Sequence, residues 1–283
     1  MATGSEGIHA SYGRIPIRDN GEALREIPPR LPRLMPHPYL LAGAPYAGGS
    51  PWRLRTGVIA ALERAQADLE QRFPGWQIAI FDAWRPLEVQ AYMVWRQFQQ
   101  EAEQQGEKAL LAVNACNTPA ELLRRDPILY EKLAECVYRF WGIANPDPLH
   151  PPPHSTGAAL DCTLLDEAGA AVPMGGPIDD FSDRADPEYF ASAPAASAGA
   201  QAHQNRLCLR DVLAVQGFVQ HPGEWWHFSL GDQLWAWRRG APHAVYGRVS
   251  SPADAESTAP GQAVPADADC PSLAGDVPPA HRY

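Results

Sequence analysis

Apolar residues recur at helical spacing through Val58, Ala61, Leu62, Ala65 and Leu69, which predicts a helix ended by the turn signal Pro74-Gly75. Trp76 to Phe81 then reads as a strand that delivers Arg85 just beyond its end. Leu87 to Gln105 has the pattern of a long amphipathic helix. Thr118-Pro119-Ala120-Glu121 is a capping box with proline at the first helical position, so a further helix opens there. Asn145 to Pro153 is a proline-rich loop, followed after Gly157 by a strand from Ala158 to Leu165. On that strand Asp161 shares a face with Ala159 and Thr163, while Leu160, Cys162 and Leu164 pack behind.

Asp166-Glu167-Ala168-Gly169 reads as a turn between strands, Ala191 to Ala200 as an Ala/Ser-rich loop, and Asn205 to Gln216 as a helix closed by Gly217. The last core strand is expected over Trp225 to Leu230, after the turn Pro222-Gly223. The elements read from the pattern are thus helices with a few short strands. From residue 249 to 283 the chain is rich in Pro, Ala, Asp and Ser with few large apolar residues, which predicts a disordered tail after a single domain over residues 1–248.

With 283 residues, 45% of them hydrophobic, the chain has material for a large core. Its net charge is −10 and it has no Lys/Arg-rich run, which argues against nucleic acid or an anionic membrane as partner. No run of about 18 apolar residues occurs, and the start lacks a basic segment followed by an apolar one, so the expected location is cytoplasmic. The five cysteines contain no Cys-x-x-Cys pair, which suggests neither a disulfide framework nor a thiolate metal site. Nothing in the sequence bears on oligomeric state.

Two segments carry chemistry: His154-Ser155-Thr156-Gly157-Ala158-Ala159-Leu160-Asp161 and Gly223-Glu224-Trp225-Trp226-His227-Phe228. Together they supply two imidazoles, a ligand carboxylate and a spare carboxylate. A hydrolytic zinc site requires three protein ligands, an open position for water and a base beside it. His154, Asp161 and His227 form the natural ligand set for one Zn2+ per chain, and Glu224 remains as the base. Zinc held in this way can lower the pKa of a water from 15.7 to roughly 7. In a regular strand Glu224 and His227 would face opposite ways, so Glu224 is expected on the turn before the strand. Each assignment has a plainer rival: His154 as a hydrogen-bonded loop residue, His227 as a buried strand histidine, and Arg85 as the structural partner of Asp82 or Glu88.

These residues resemble the D-alanyl-D-alanine dipeptidase family, the zinc enzymes that include the vancomycin-resistance dipeptidase. Phe81-Asp82-Ala83-Trp84-Arg85-Pro86 is similar to the family's Asp-x-aromatic-Arg-Pro segment, and Pro173-Met174-Gly175 with Asp179 to its Pro-Met-Gly segment and downstream aspartate. Asn205-Arg206, Leu209-Arg210 and Gly217-Phe218 resemble the series before its Glu-Trp-Trp-His. The motifs keep the family's order over about residues 40 to 230.

The resemblance implies an α+β, hedgehog/DD-peptidase-like fold with helices packed on a small, mainly antiparallel sheet, and hydrolysis of D-Ala-D-Ala to two D-alanines. It makes Arg85 the group that stabilises the developing oxyanion, as a rigid, permanently charged fork of donors can. It makes Asp179 the anchor of the substrate's ammonium and Tyr46 a substrate contact. Where the resistance enzyme has serines directly before the first metal histidine, this chain has Pro152-Pro153, so hydroxyl contacts from that place are lost. A D,D-carboxypeptidase acting on longer peptidoglycan peptides is the rival enzyme, disfavoured by Asp179. A non-catalytic zinc-binding module is the rival from another class; it would lack a base or an oxyanion group, and both are present.

Overall fold

In the computed structural model residues 12–47 and 49–249 are described. Four strands form an antiparallel sheet in the order β3-β4-β6-β5: β3 Gln77–Asp82, β4 Ala159–Leu165, β5 Val219–Gln220 and β6 His227–Ser229. A separate two-stranded ribbon pairs β1 Leu24–Glu26 with β2 Arg53–Arg55. One face of the main sheet packs on α2 (Thr56–Arg72) and α7 (Ala198–Val215), through Leu62, Ala65 and Leu69 from one helix and Leu209, Val212 and Leu213 from the other. The strand residues Ile78, Ile80, Leu160, Cys162, Leu164 and Phe228 complete this core. The other face carries the polar residues Asp161 and His227.

A second core gathers α1 (Pro38–Leu41), α3 (Leu87–Gln105), α4 (Glu107–Asn114), α5 (Pro119–Arg125) and α6 (Pro127–Val137) around Val94, Phe98, Leu133 and Trp141. A short helix α8, Gln233–Arg239, closes the described chain. The strand and helix expectations around residues 56–105 and 159–165 hold. At α5 the Thr118 hydroxyl accepts from the Glu121 amide at 3.2 Å, but the Glu121 carboxylate returns to the Asn117 amide at 2.9 Å rather than to that of Thr118.

Three expectations are corrected. α7 begins at Ala198, inside the segment read as loop, because Ser197 caps it by accepting from the Ala200 amide at 3.1 Å. Trp225 and Trp226 sit in a turn and β6 begins only at His227; both indoles are buried in the main core, and of the pair Trp226 keeps a bond to β4, its carbonyl accepting from the Cys162 amide at 3.0 Å. Val249, assigned to the tail, is 7% exposed and its amide donates to the Ser155 carbonyl at 2.9 Å. The rest of the predicted tail, 250–283, lies outside the described residues. Among the described residues no helix is long and apolar enough to cross a membrane.

Candidate metal centre and active site

Strand register brings the central side chains into one row. Asp161 on β4 lies opposite His227 on β6 and, on its other side, opposite Asp82 on β3. The second pairing depends on a bulge. Ile78 and Ile80 point into the core, and strict alternation would send Asp82 after them, opposite Leu160. An extra residue between Ile80 and Asp82 shifts the register by one and turns the carboxylate to the site face. His154 arrives from a 3-10 turn, Pro153–Thr156, that ends on Gly157 with φ +70°. A Cβ at that glycine would approach the Leu24 side chain to 2.3 Å, so both the backbone and the space there require glycine.

The nitrogen and oxygen atoms of His154, Asp161 and His227 converge. His154 Nε2 is 3.2 Å from His227 Nδ1 and 3.4 Å from Asp161 Oδ2, and His227 Nδ1 is 3.3 Å from Asp161 Oδ1. A tetrahedral ion with ligands at about 2.1 Å has edges of about 3.4 Å; the imidazole nitrogens meet that, each ring has one Asp161 oxygen at that range, and one ligand atom from each residue lies within 4.8 Å of the others, so the three can close on one small cation. The hydrogen bonds around the rings fit it too. His154 Nδ1 donates to the Ala83 carbonyl at 2.8 Å, leaving Nε2 as a lone pair facing the cluster. His227 Nε2 faces the Ser229 hydroxyl at 3.4 Å, which donates to the buried Asp232 at 2.7 Å, leaving Nδ1 for the cluster. Asp161 Oδ1 is buried and has no hydrogen-bond partner, which a ligand atom would have lacked until a cation met it.

Electrostatics agree. Burial disfavours charge on Asp161, but the two imidazoles outweigh it and hold its carboxyl well below the usual range. Burial also disfavours charge on the imidazoles: Asp161 overcomes this at His154, whose pKa rises, while burial prevails at His227, whose pKa is lowered. Glu224 sits on the turn before β6 as expected, with Oε2 3.6 Å from His227 Nδ1. Burial, then the charges of Asp161 and Asp179, push its pKa well up. Asp179 is raised to about 7, by burial first and Asp161 second.

Arg85 is 6% exposed and clamped. Its Nε and Nη2 donate to Asp82 Oδ2 at 3.0 and 2.7 Å, its Nη1 to Gln90 at 2.9 Å, and its Nη2 lies 3.4 Å from Asp161. The rings of Tyr39 and Trp141 flank the guanidinium at 4.8 and 5.2 Å. The structural pairing weighed for Arg85 is thus real, with Asp82 as the partner, and it coexists with a place on the cleft wall. Asp82 is held in turn by His37: its Nδ1 accepts from the Tyr39 amide, so Nε2 carries the proton and donates to Asp82 Oδ1 at 3.0 Å.

A cleft of about 60 Å³ is lined by Arg85, His154, Asp161, Asp179, Glu224 and His227 together. Six of the seven residues singled out in the sequence therefore meet in one place. Tyr46 does not: it is 5% exposed within the second core, with its hydroxyl on Asp82 at 3.4 Å, behind the arginine rather than on the cleft wall. Tyr39 instead bridges the two ends of the site, its hydroxyl donating to Asp179 at 3.0 Å and accepting from Arg85 at 3.2 Å. Tyr39 and His37 were missed because they act through contacts distant in sequence, and Gln90 and Ser229 because, although near Arg85 and His227 in the chain, no motif marks them. Pro152 and Pro153 line the cleft, and so does His221.

The sequence profile of a family described as D-ala-D-ala dipeptidase matches residues 33–245. A D-alanyl-D-alanine dipeptidase of Synechocystis sp. is 42% identical over 258 residues, which cover 84% of this chain and 96% of that relative. D-alanyl-D-alanine dipeptidases of Escherichia coli and Enterococcus faecalis match shorter stretches, at 42% over 77 residues and 35% over 81, each covering 37% of the relative.

Proposed function

The chain belongs to the D-Ala-D-Ala dipeptidase family, and from that premise we propose that it hydrolyses D-alanyl-D-alanine to two D-alanines at one zinc ion held by His154, Asp161 and His227. The observation that carries the reading is the convergence of one ligand atom from each of the three residues within 4.8 Å of one another, with the imidazole nitrogens 3.2 Å apart and the Glu224 carboxylate 3.6 Å from His227 Nδ1. Zinc would supply an activated water and a Lewis acid for the scissile carbonyl.

The chain's own groups do the rest. Glu224 accepts the proton of the attacking water and returns it to the leaving amine as the C–N bond breaks. Arg85, immobilised by Asp82 and Gln90, offers its remaining N–H to the oxygen on which charge develops, and its fixed position avoids reorganisation during the reaction. Asp179 takes the substrate's ammonium, and Tyr39, bonded to both Asp179 and Arg85, sets the spacing between the amino end and the reacting carbonyl. A sheet with helices on one face and these ligands on the other supports a hedgehog/DD-peptidase-like fold, in one catalytic domain ending near residue 248.

The carboxypeptidase reading differs in one respect, since its substrates are acylated where Asp179 expects a charge. Rates on D-Ala-D-Ala and on N-acetyl-D-Ala-D-Ala, with metal content measured in the wild type and in His154→Ala, Asp161→Ala and His227→Ala, test the proposal. Free dipeptide should be strongly preferred, and about one zinc per chain should be lost in each variant. Equal rates on the two substrates, or full zinc in all three variants, would sink it.

A further inference from the structure

Against the cleft lies a second cavity of about 360 Å³, six times the 60 Å³ of the cleft itself. Tyr12, Trp141, Gly142 and Pro152 wall both. Beyond them the larger cavity is bounded by Tyr138, Ile143 and Pro151, and none of its lining residues is Asp, Glu, Lys or Arg. Its one group able to carry charge, His150, is engaged by Asp147 at 2.9 Å. Such walls suit an uncharged side chain, and the rings of Tyr12, Tyr138 and Trp141 suit an aromatic one, which gains edge and face contacts beyond its buried area. By contrast, the alanine methyl group needs no such space; about one water's worth of room, roughly 10–15 Å³ on the same measure, is ample.

The direction follows from what the two spaces do not share. Asp179, Asp180 and Phe181 line the cleft only, so the larger cavity is not at the end that takes the amino group. It is reached past Pro152, two residues before the ligand His154. A substrate with its ammonium at Asp179 and its carbonyl beside Arg85 therefore sends its second residue toward Pro152 and Tyr12.

We propose that the larger cavity receives the side chain of the leaving residue, and that the enzyme prefers dipeptides of the form D-Ala-D-X in which X is large and aromatic. This rests on the dipeptidase reading above and extends it to the substrate class. The reaction is unchanged: water adds across the peptide bond and releases D-alanine and D-X.

The test uses D-Ala-D-Ala, D-Ala-D-Phe and the reversed D-Phe-D-Ala on the zinc-loaded full chain. Burying a phenyl ring should raise kcat/KM for D-Ala-D-Phe over D-Ala-D-Ala by roughly ten- to a hundredfold. D-Phe-D-Ala should gain nothing. Ile143 is 55% exposed and lines the larger cavity but not the cleft, so Ile143→Trp should fold, fill the space and bring the ratio close to one. D-Ala-D-Ala turnover should stay within about twofold. Asn145→Trp, from the same wall, repeats the test independently. A wild-type ratio at or below one, a preference for D-Phe-D-Ala, or a ratio that both filling variants leave intact would overturn the proposal while D-Ala-D-Ala hydrolysis stands. Failure to cleave any of the three dipeptides would instead bring down the dipeptidase reading beneath it.

Discussion

Replacing Asp82 tests whether the oxyanion group is held from behind. Its carboxylate is fully buried and accepts from Arg85 Nε at 3.0 Å, Arg85 Nη2 at 2.7 Å and His37 Nε2 at 3.0 Å. Asp82→Ala leaves a buried guanidinium without its main counter-charge, and breaking a buried pair by removing one partner costs about 3–5 kcal/mol. Gln90, Asp161 and the flanking rings of Tyr39 and Trp141 stay, so the low end applies, about 3 kcal/mol. For a domain of this size that lowers Tm by roughly 6–12 °C.

Burial pushes the Asp82 pKa up, but Arg85 and His37 outweigh it and the net value is lowered. The stabilisation is therefore complete above the ordinary carboxylate pKa of about 3.9, and is lost only as pH falls through the depressed folded value. The Tm gap to wild type should be full at neutral pH and shrink in strong acid. Catalytically, kcat on D-Ala-D-Ala should fall by roughly 10² with zinc content unchanged, because the three ligands are intact while the guanidinium has lost its orientation. Asp82→Asn, which keeps one acceptor oxygen, should lie between. Calorimetry, metal analysis and steady-state kinetics on the same preparations decide. A normal Tm with a normal kcat in Asp82→Ala would refute the clamp, and loss of zinc would mean that Asp82 serves the metal rather than Arg85.

Glu224→Gln should keep its zinc and lose kcat by about 10² to 10⁴, since the amide cannot take the water's proton; metal loss with activity restored by added zinc would show another role. Asp179 binds an ammonium only when ionised, so kcat/KM should rise with pH through an acid limb at or below its value of about 7. Asp179→Asn should flatten that limb, raise KM and narrow the gap between free and N-acetylated substrate, and an unchanged profile would remove Asp179 from the binding site. Ser229→Ala severs His227 from Asp232 and should weaken zinc binding by about 10- to 100-fold in a chelator competition, whereas unaltered affinity would make the Ser229–Asp232 bond merely structural.

What the sequence revealed of this site followed from local pattern. His154 and Asp161 are joined by a turn and a strand, and Glu224 and His227 by another turn and strand. Each pair's geometry was legible from Gly157, Pro222-Gly223 and the alternation around Asp161. What escaped was set by contacts between distant segments. The bulge in β3 that turns Asp82 toward Asp161 contradicts the alternation of Ile78 and Ile80, and only pairing with β4 imposes it. His37, 45 residues before Asp82, is a helix cap and a carboxylate partner at once, with no flanking pattern to mark it. Tyr46 was read as a substrate contact, yet its hydroxyl meets Asp82, and it is the hydroxyl of the equally buried Tyr39 that links Arg85 to Asp179; only the fold separates the two rings.

Charge accounting ties the two binding events together. Asp82, Asp161, Asp179 and Glu224 are four carboxylates grouped around one guanidinium, Arg85. Fully ionised they would leave three net negative charges in and just behind the cleft, and the fold's response is visible in Glu224 and Asp179, whose pKa values burial and neighbouring carboxylates push up. On the proposed assignment a dication at His154, Asp161 and His227 would remove two of those charges, and a substrate ammonium would be the local counter-charge of Asp179, with the substrate's own carboxylate at its other end. Each makes ionisation of the carboxylates easier for the other, since Asp161 is among the groups that raise both Glu224 and Asp179. On the proposed assignment the same carboxylate excess that would attract a metal would, once the metal is bound, ready Glu224 to act as a base and Asp179 to hold an amino terminus. An acylated substrate, which brings no positive charge, would leave that last carboxylate uncompensated, and this is the electrostatic ground for selecting a free dipeptide.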